Sequence, residues 1–492
     1  MSGQGRRRGA VALMVAAVVA AGCASGSSAP AAGTASPGVS DTVVPNDTVP
    51  NDTVPNDTAA AFETPSATDP PEPERRYLSG DSEYLFDQDT LHTFEINVSE
   101  ALLATLNEDP AAEEYVEGSL TFEGETIAPI GVRYKGSVGA FVGCTDGPNP
   151  LVPSGAKTCD KLSLKLKINW DDPNGEFYGV RKVLLHSQNL DPTLMHERLG
   201  YWLFREMGVP APRSTHARVM INGEFAGVFA LTEEIDGRFT RENFEDGAGN
   251  LYKEVWPFDA NHAPATSQAL IDSLQTNEND DPNADIMTAF TAELAAAAPE
   301  AALEVIAKWI DIDNLLTTFV VDRAIRNDDG PLHWYCIPEC NPHNFYWYED
   351  PSSRQLTLIP WDLDNAFDSL TGTGLIAGFI EIADELGEIT NDCQPFPFGS
   401  FGLLQISAAC DPLVGPLTTL DEALDGIRAE LVAGPLSDDR VAQQLERWSA
   451  QIESSVAEFA DAHPSAQSVE TWRAALAAMQ RALSDSLAGT GR

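Results

Sequence analysis

Lys161-Leu-Ser-Leu-Lys-Leu-Lys-Ile168 alternates polar and apolar residues with a period of two. That pattern makes a half-buried β-strand, with Leu162, Leu164, Leu166 and Ile168 on an inner face and the lysines facing solvent or a cleft. Strand-like segments precede it at 92–98, 115–122 and 127–134, with a short helix near 99–107. After it, Asp191-Pro-Thr is expected to open a helix running to Met207 and stopped by Gly208, with Leu194, Leu199, Trp202 and Leu203 as its apolar stripe. The runs 217–221 and 228–232 flank Asn222-Gly223, a hairpin signal. Farther on, 310–326 reads as a buried helix, 345–348 and 356–359 as a strand pair, and 420–487 as mostly helix. A sheet-rich first half and a helix-rich second half predict an α+β protein of two lobes.

Composition narrows the function classes. The 492 residues carry 30 Lys plus Arg against 75 Asp plus Glu, a formal charge of −45, so nucleic acid is not an expected partner. The first residues read as an address. Arg6, Arg7 and Arg8 precede an uncharged run from Ala10 to Gly22 that is too short to span a bilayer. Ala20-Ala-Gly-Cys23 looks like a bacterial lipobox, making 1–22 a lipoprotein signal peptide and Cys23 the lipid-bearing residue; an ordinary secretory signal is the alternative. Residues 23–76 are rich in Ala, Pro, Thr and Asp and repeat Val-Pro-Asn-Asp-Thr from Val44, Val49 and Val54, which suits an extended tether. The expected protein is held outside the cytoplasm, touching the membrane only through its lipid anchor.

Six cysteines remain beyond Cys23: Cys144, Cys159, Cys336, Cys340, Cys393 and Cys410. An even number in an exported chain favours disulfides, and proximity along the chain suggests the pairs 144–159, 336–340 and 393–410. A zinc site is the competing reading, though the spacing lacks a repeated Cys-x-x-Cys pattern.

Candidate chemistry concentrates in Asn327-Asp-Asp-Gly330, Asn344-Phe-Tyr-Trp-Tyr348 and Ile359-Pro-Trp-Asp-Leu-Asp364. Asp329, Asn344, Asp362 and Asp364 are hard oxygen donors suited to a divalent cation such as Mg²⁺. Asp362 and Asp364 alternate with Trp361 and Leu363 in an apolar run, unlike a solvated acidic face.

From about Val132 to Asp368 the chain resembles the CotH-type kinases, an atypical protein-kinase family named for a spore-coat protein. The resemblance rests on Lys161–Lys165, Asn189 with Asp191-Pro and Arg198, Gly227–Asp236, Gly249–Lys253 and Ile359–Asp364, in that order. It implies a two-lobed kinase-like fold, with 77–235 as the sheet-rich lobe and 236–492 as the helical lobe. It also implies that Lys165 or Lys161 reaches the phosphates of ATP, that Glu197 pairs with that lysine, and that the hinge lies near Glu233–Asp236 with Glu234 at the nucleotide. Asp329, or the adjacent Asp328, would then accept the proton of the attacking hydroxyl, while Asn344 and Asp362, with Asp364, hold Mg²⁺ or Mn²⁺. Gly136 and Ser137, in Tyr134-Lys-Gly-Ser-Val-Gly139, loosely match the family's Gly-Ser turn, where backbone N–H groups would cradle phosphate. Asn344 follows Asp329 by fifteen residues instead of the usual five or so, with 331–340 as an insertion that a Cys336–Cys340 bridge would pinch aside. The implied activity is phosphoryl transfer from ATP to Ser or Thr hydroxyls of a protein substrate. The alternatives are a non-catalytic surface protein that keeps the kinase fold, and another ATP-dependent transfer such as adenylylation.

Overall fold

Seven strands, β1 (His92–Val98), β2 (Val116–Phe122), β3 (Glu125–Tyr134), β4 (Leu164–Lys167), β5 (Lys182–His186), β6 (Ser214–Ile221) and β7 (Glu224–Thr232), close into a barrel. The computed structural model describes residues 81–149, 152–279, 282–336, 339–371, 392–398 and 403–489; the leader, the tether and Cys23 lie outside them. Barrel order is β1-β2-β3-β4-β5-β7-β6, antiparallel throughout except where β6 pairs parallel with β1 to complete the ring. Closure removes the exposed sheet edges that would otherwise recruit other chains. Leu162, Leu164, Leu166 and Ile168 all point into the barrel core with Phe94, Ile96, Leu120, Phe122, Ile130 and Phe229. The regular part of this strand is shorter than the alternation suggested, Leu164–Lys167.

Helix α1 (Glu100–Glu108) links β1 to β2, with the Ser99 side chain accepting from Leu102 N–H as its cap. Helix α2 (His196–Glu206) lies between β5 and β6 and begins later than expected from Asp191. The Asp191 carboxylate instead folds over the entry. It accepts from Thr193 N–H at 2.7 Å, from the Thr193 hydroxyl at 2.6 Å and from His196 N–H at 2.8 Å, so residues 191–195 form a bracket ahead of the first turn. The Asn222-Gly223 hairpin joins β6 and β7 as expected, with both turn residues at positive φ.

The second half is less purely helical than its sequence suggests. Strands β8 (Asn250–Lys253), β11 (Phe345–Glu349) and β12 (Leu356–Pro360) form an antiparallel sheet with β11 at its centre. Strands β9 (His333–Cys336), β10 (Cys340–Asn341), β13 (Phe396–Phe398) and β14 (Leu403–Ser407) make a second sheet. Leu184 on the outer barrel face packs with Ile235, Leu251, Tyr346, Ile359 and Trp361, so this cluster seats the three-stranded sheet on the barrel. A larger core joins α2 to helices α3 (Ile312–Ala324), α4 (Asp438–Ala462) and α5 (Val469–Gly489) through Leu199, Leu203, Val321, Leu363, Trp448 and Trp472. Buried Arg198 pins that core: its guanidinium stacks 4.6 Å from the Trp448 ring centroid and donates to Gln88, Gln451 and His216. The three disulfides are Cys144–Cys159, Cys336–Cys340 and Cys393–Cys410. Among the described residues, no helix is long and apolar enough to cross a membrane.

Candidate active site

Three residues meet at one end of the three-stranded sheet because its strands alternate in direction. Glu254 follows β8, Asn344 precedes β11 and Asp362 stands just beyond β12, and the registers Lys253↔Tyr346 and Phe345↔Pro360 bring those positions to a common edge. All three are left-handed, with φ of 52°, 59° and 53°. Asn and Asp tolerate that conformation and Glu does so at some cost, a concentration of strain typical of functional sites. Trp361 N–H donates to Asn344 O at 3.1 Å, and Asp362 N–H donates to the buried Tyr201 hydroxyl of α2 at 2.9 Å. Gly200 lets α2 approach this turn, since a Cβ there would stand 2.8 Å from Leu363 Cδ1.

Asp329 joins this edge from the end of α3. The Asn344 amide donates to Asp329 O at 2.9 Å across the intervening segment, and Asn365 Nδ2 donates to Asp329 Oδ2 at 3.3 Å and to Asp364 Oδ1 at 3.1 Å. Within the insertion β9 pairs antiparallel with β10, Cys336 opposite Cys340 in register as well as by disulfide, and Leu332 and Trp334 anchor it in the core. Asp329 is half-buried and accepts from the Tyr335 hydroxyl at 2.8 Å. Its neighbour Asp328 is fully buried and lies 3.4 Å from His333, which leaves it unable to reach a substrate.

The barrel presents the opposing wall. Lys135 Nζ donates to His186 Nε2 at 2.9 Å and stands 5.7 Å from the Trp361 ring centroid. The other ring nitrogen, Nδ1, lies 2.7 Å from Glu197 Oε1 and 2.9 Å from Oε2, while the Thr232 hydroxyl donates to Oε2 at 3.0 Å. Glu197 therefore pairs with His186, and Lys135 completes a lysine–imidazole–glutamate chain. The expected pairing of Glu197 with a β4 lysine does not form. Lys165 is buried and pairs with Glu234 at 3.1 Å, and Glu234 also meets Lys182 at 3.4 Å. Lys161 is outside this cluster, its ammonium donating to Val228 O at 2.9 Å. Gly136 has φ 136°, and its N–H donates to Glu113 Oε1 at 2.9 Å, so the chain's own carboxylate occupies that donor of the expected phosphate cradle. Ser137 sits exposed at the start of the following short helix without a side-chain capping bond.

Electrostatics divides the two walls. Burial pushes Glu197 up, but His186, Lys135 and Thr232 outweigh it and hold the carboxyl below its usual range. Burial raises the Asp329 carboxyl, opposed by His343 and the Tyr335 hydroxyl and reinforced by Asp362 and Glu254. Asp364 is driven well above the ordinary range by burial and by the carboxylates of Asp362, Glu197, Asp329 and Asp368. Carboxylates crowded in this way repel one another unless a cation stands among them, and oxygen donors from Asp362, Asp364 and Asn344 suit Mg²⁺ or Mn²⁺. His186, Glu197 and Asp362 also bring ligand atoms within 4.8 Å of one another. Both ring nitrogens of His186 are already engaged, so the all-oxygen set is the better fit for a cation.

A family model described as CotH kinase protein matches residues 132–485, which include both walls of this site. The chain belongs to the CotH kinase family. Among curated proteins, the inner spore coat protein H of Bacillus subtilis (strain 168) is 25% identical over 217 residues, 42% of this chain and 56% of that one. Its H-like counterpart in the same organism is 32% identical over 100 residues, 20% and 30% of the two chains. Spore coat protein homolog 1 of Rhizopus delemar is 24% identical over 225 residues, 43% of this chain and 35% of the relative. The alignments span about half or less of these relatives' length. Among solved structures, the HipA–HipB operator DNA complex of Shewanella oneidensis MR-1 covers 79% of each chain at 14% identity and a TM-score of 0.28, too loose to equate the folds.

In this member of the CotH kinase family, Asp329, Asn344, Asp362, Asp364 and Glu197 converge, whereas Asp328 faces His333, Lys161 the Val228 carbonyl and Lys165 Glu234. Sequence reasoning missed Lys135, His186, Glu254 and Asn365. Lys135 lay inside the Gly-Ser turn and Asn365 directly beyond the Asp-Leu-Asp run, so both were within reach of a positional argument. His186 and Glu254 carried no local signal, because only the packing of β5 against α2 and the end of β8 give them partners.

Proposed function

We propose that this chain is an ATP-dependent phosphotransferase that acts outside the cytoplasm on Ser or Thr hydroxyls of a protein, with Mg²⁺ or Mn²⁺. The observation that carries the reading is the meeting of Asp329, Asn344 and Asp362 at one sheet edge, opposite the Lys135–His186–Glu197 chain on the barrel. A divalent cation held by Asp362, Asp364 and Asn344 would neutralise phosphate charge. Asp329, half-buried and raised in pKa, is suited to take the proton of an incoming hydroxyl. Tyr335 and Asn365 each hold one of its carboxylate oxygens and so orient it. Lys135 supplies the mobile positive charge for the transferred group, and Glu197 restrains it through His186. Phosphoryl transfer asks mainly for positioning and charge neutralisation, which such a set can provide. The three disulfides support action in an oxidising compartment. Incubation of the chain with ATP and Mg²⁺, followed by intact mass analysis of the chain and a generic protein substrate, tests the reading. Phosphate addition is expected, addition of a nucleotide would instead indicate adenylylation, and no change with any metal would leave a binding role for the fold.

A further inference from the structure

A cavity of about 830 Å³ lies away from the carboxylate edge, between the Cys144–Cys159 loop, the 188–194 segment and the end of α4. Its wall is mixed: Leu190, Leu194, Val228, Val456 and Phe459 form an apolar side, and polar residues that include Asp160, Asn189 and Asp191 form the rest. Two polar side chains stand out. Gln188 is only 7% exposed at a φ of 54°, and neither its amide nitrogen nor its amide oxygen has a hydrogen-bond partner. A buried amide without partners costs free energy, so such groups generally mark a position completed by something else. The second is Lys161, whose ammonium donates to Val228 O at 2.9 Å and lies 5.3 and 5.7 Å from the Phe229 and Phe459 ring centroids.

The carboxylates near this wall are already committed. Asp191 accepts from Thr193 and His196, and Asp160 accepts from Ser465 at 2.7 Å with His463 at 3.4 Å. Lys157 is held by the carbonyls of Cys159 and Asp160. Asn189 closes the rim, donating to Lys161 O at 2.8 Å and towards the Cys144 sulfur. Among the described residues lining the cavity, the Lys161 ammonium, with one hydrogen bond made, and the unpartnered Gln188 amide therefore keep capacity for a ligand beside the apolar side of the wall, and the volume falls in the range of ordinary small-molecule sites. We propose that this cavity binds a small organic carboxylate, its carboxylate held by Lys161 and Gln188 and its apolar body lying against Leu190, Val456 and Phe459. Burial pushes the Lys161 ammonium down to about 8 against the opposing pull of Asp191, and a further anion beside it would offset more of that desolvation. A bare phosphate would leave the apolar floor uncovered, which favours the organic acid.

The proposal is independent of phosphoryl transfer, and its readouts use none. Titration calorimetry of the full chain with hexanoate is expected to give saturable single-site binding, at least tenfold weaker for the neutral hexanamide. Lys161→Met and Gln188→Leu should each weaken hexanoate binding at least tenfold. In the unsubstituted chain, hexanoate should slow modification of Lys161 by an amine acylating reagent, read by peptide mass mapping, which keeps the test open if a variant fails to fold. No saturable heat, equal binding of hexanamide, tighter binding of inorganic phosphate, or unprotected Lys161 would each overturn the proposal.

Discussion

His186 Nδ1 meets Glu197 Oε1 at 2.7 Å across the gap between β5 and α2. Both side chains are buried, and the imidazole also receives Lys135, so a lysine and a glutamate that never touch are coupled through one ring. His186→Phe fills the space but leaves Glu197 buried without its main partner. Loss of about 3 kcal/mol of stability is expected from breaking such a pair, and transfer should fall on the order of 100-fold as Lys135 loses its position. Denaturant titration and initial-rate measurements check the two effects, and a variant matching the wild type in both would remove the coupling.

The lysines separate in the same assay. Lys135→Met should cut transfer on the order of 100-fold with little change in melting temperature, because the side chain is half-buried and donates charge at the site. Lys165→Met should cost less than about tenfold, since Glu234 keeps Lys182 as a partner. The reverse ranking would return the phosphate role to β4.

Asp362→Asn is the informative change at the carboxylate edge, because Asn accepts the φ of 53° that Ala would strain. Mg²⁺ should raise the melting temperature of the wild type and leave that of the variant unmoved, by linkage of binding to folding. Labelling should disappear in the variant. A full Mg²⁺ response from Asp362→Asn would reject the assigned metal role.

The Cys336–Cys340 bridge closes a loop with a sequence separation of only 4, so its entropic effect on stability is small. Its influence on the site should be larger, because it ties down the insertion between Asp329 and Asn344, whose Tyr335 hydroxyl orients Asp329. Replacing both cysteines by Ser is expected to lower transfer about tenfold while shifting the melting temperature by only a few degrees. Equal and parallel losses would show that the bridge serves stability alone.

Asp411 provides a pH test remote from the reaction. Burial raises its carboxyl to about 7, despite N–H donation from Leu413 and Val414. A folded pKa raised above the unfolded value favours the protonated folded chain. That contribution is complete below about pH 4 and is lost as pH rises through about 7. The span corresponds to a few kcal/mol, on the order of 4 at most. Asp411→Asn should therefore flatten the fall in stability between pH 4 and 8, measured by denaturant unfolding, and should be the more stable form at pH 8. An unchanged slope would place the titration elsewhere.

Much of this organisation was legible in the chain. Period-two alternation put Leu162, Leu164, Leu166 and Ile168 on one face, and they line the barrel. Proximity along the sequence paired the six cysteines, and the carboxylates breaking an apolar run at Asp362 and Asp364 marked the edge where strands end. Parity along a strand, however, tells which side a lysine takes and not what stands opposite. Lys161 and Lys165 share a face but are separated by roughly 13 Å along it, so one meets Val228 and the other Glu234. The closure of the barrel, the choice of Lys135 as the facing cation and the insertion of His186 between it and Glu197 are long-range outcomes. They depend on how β5, α2 and the end of β12 pack together, a relation between distant segments that no local pattern encodes.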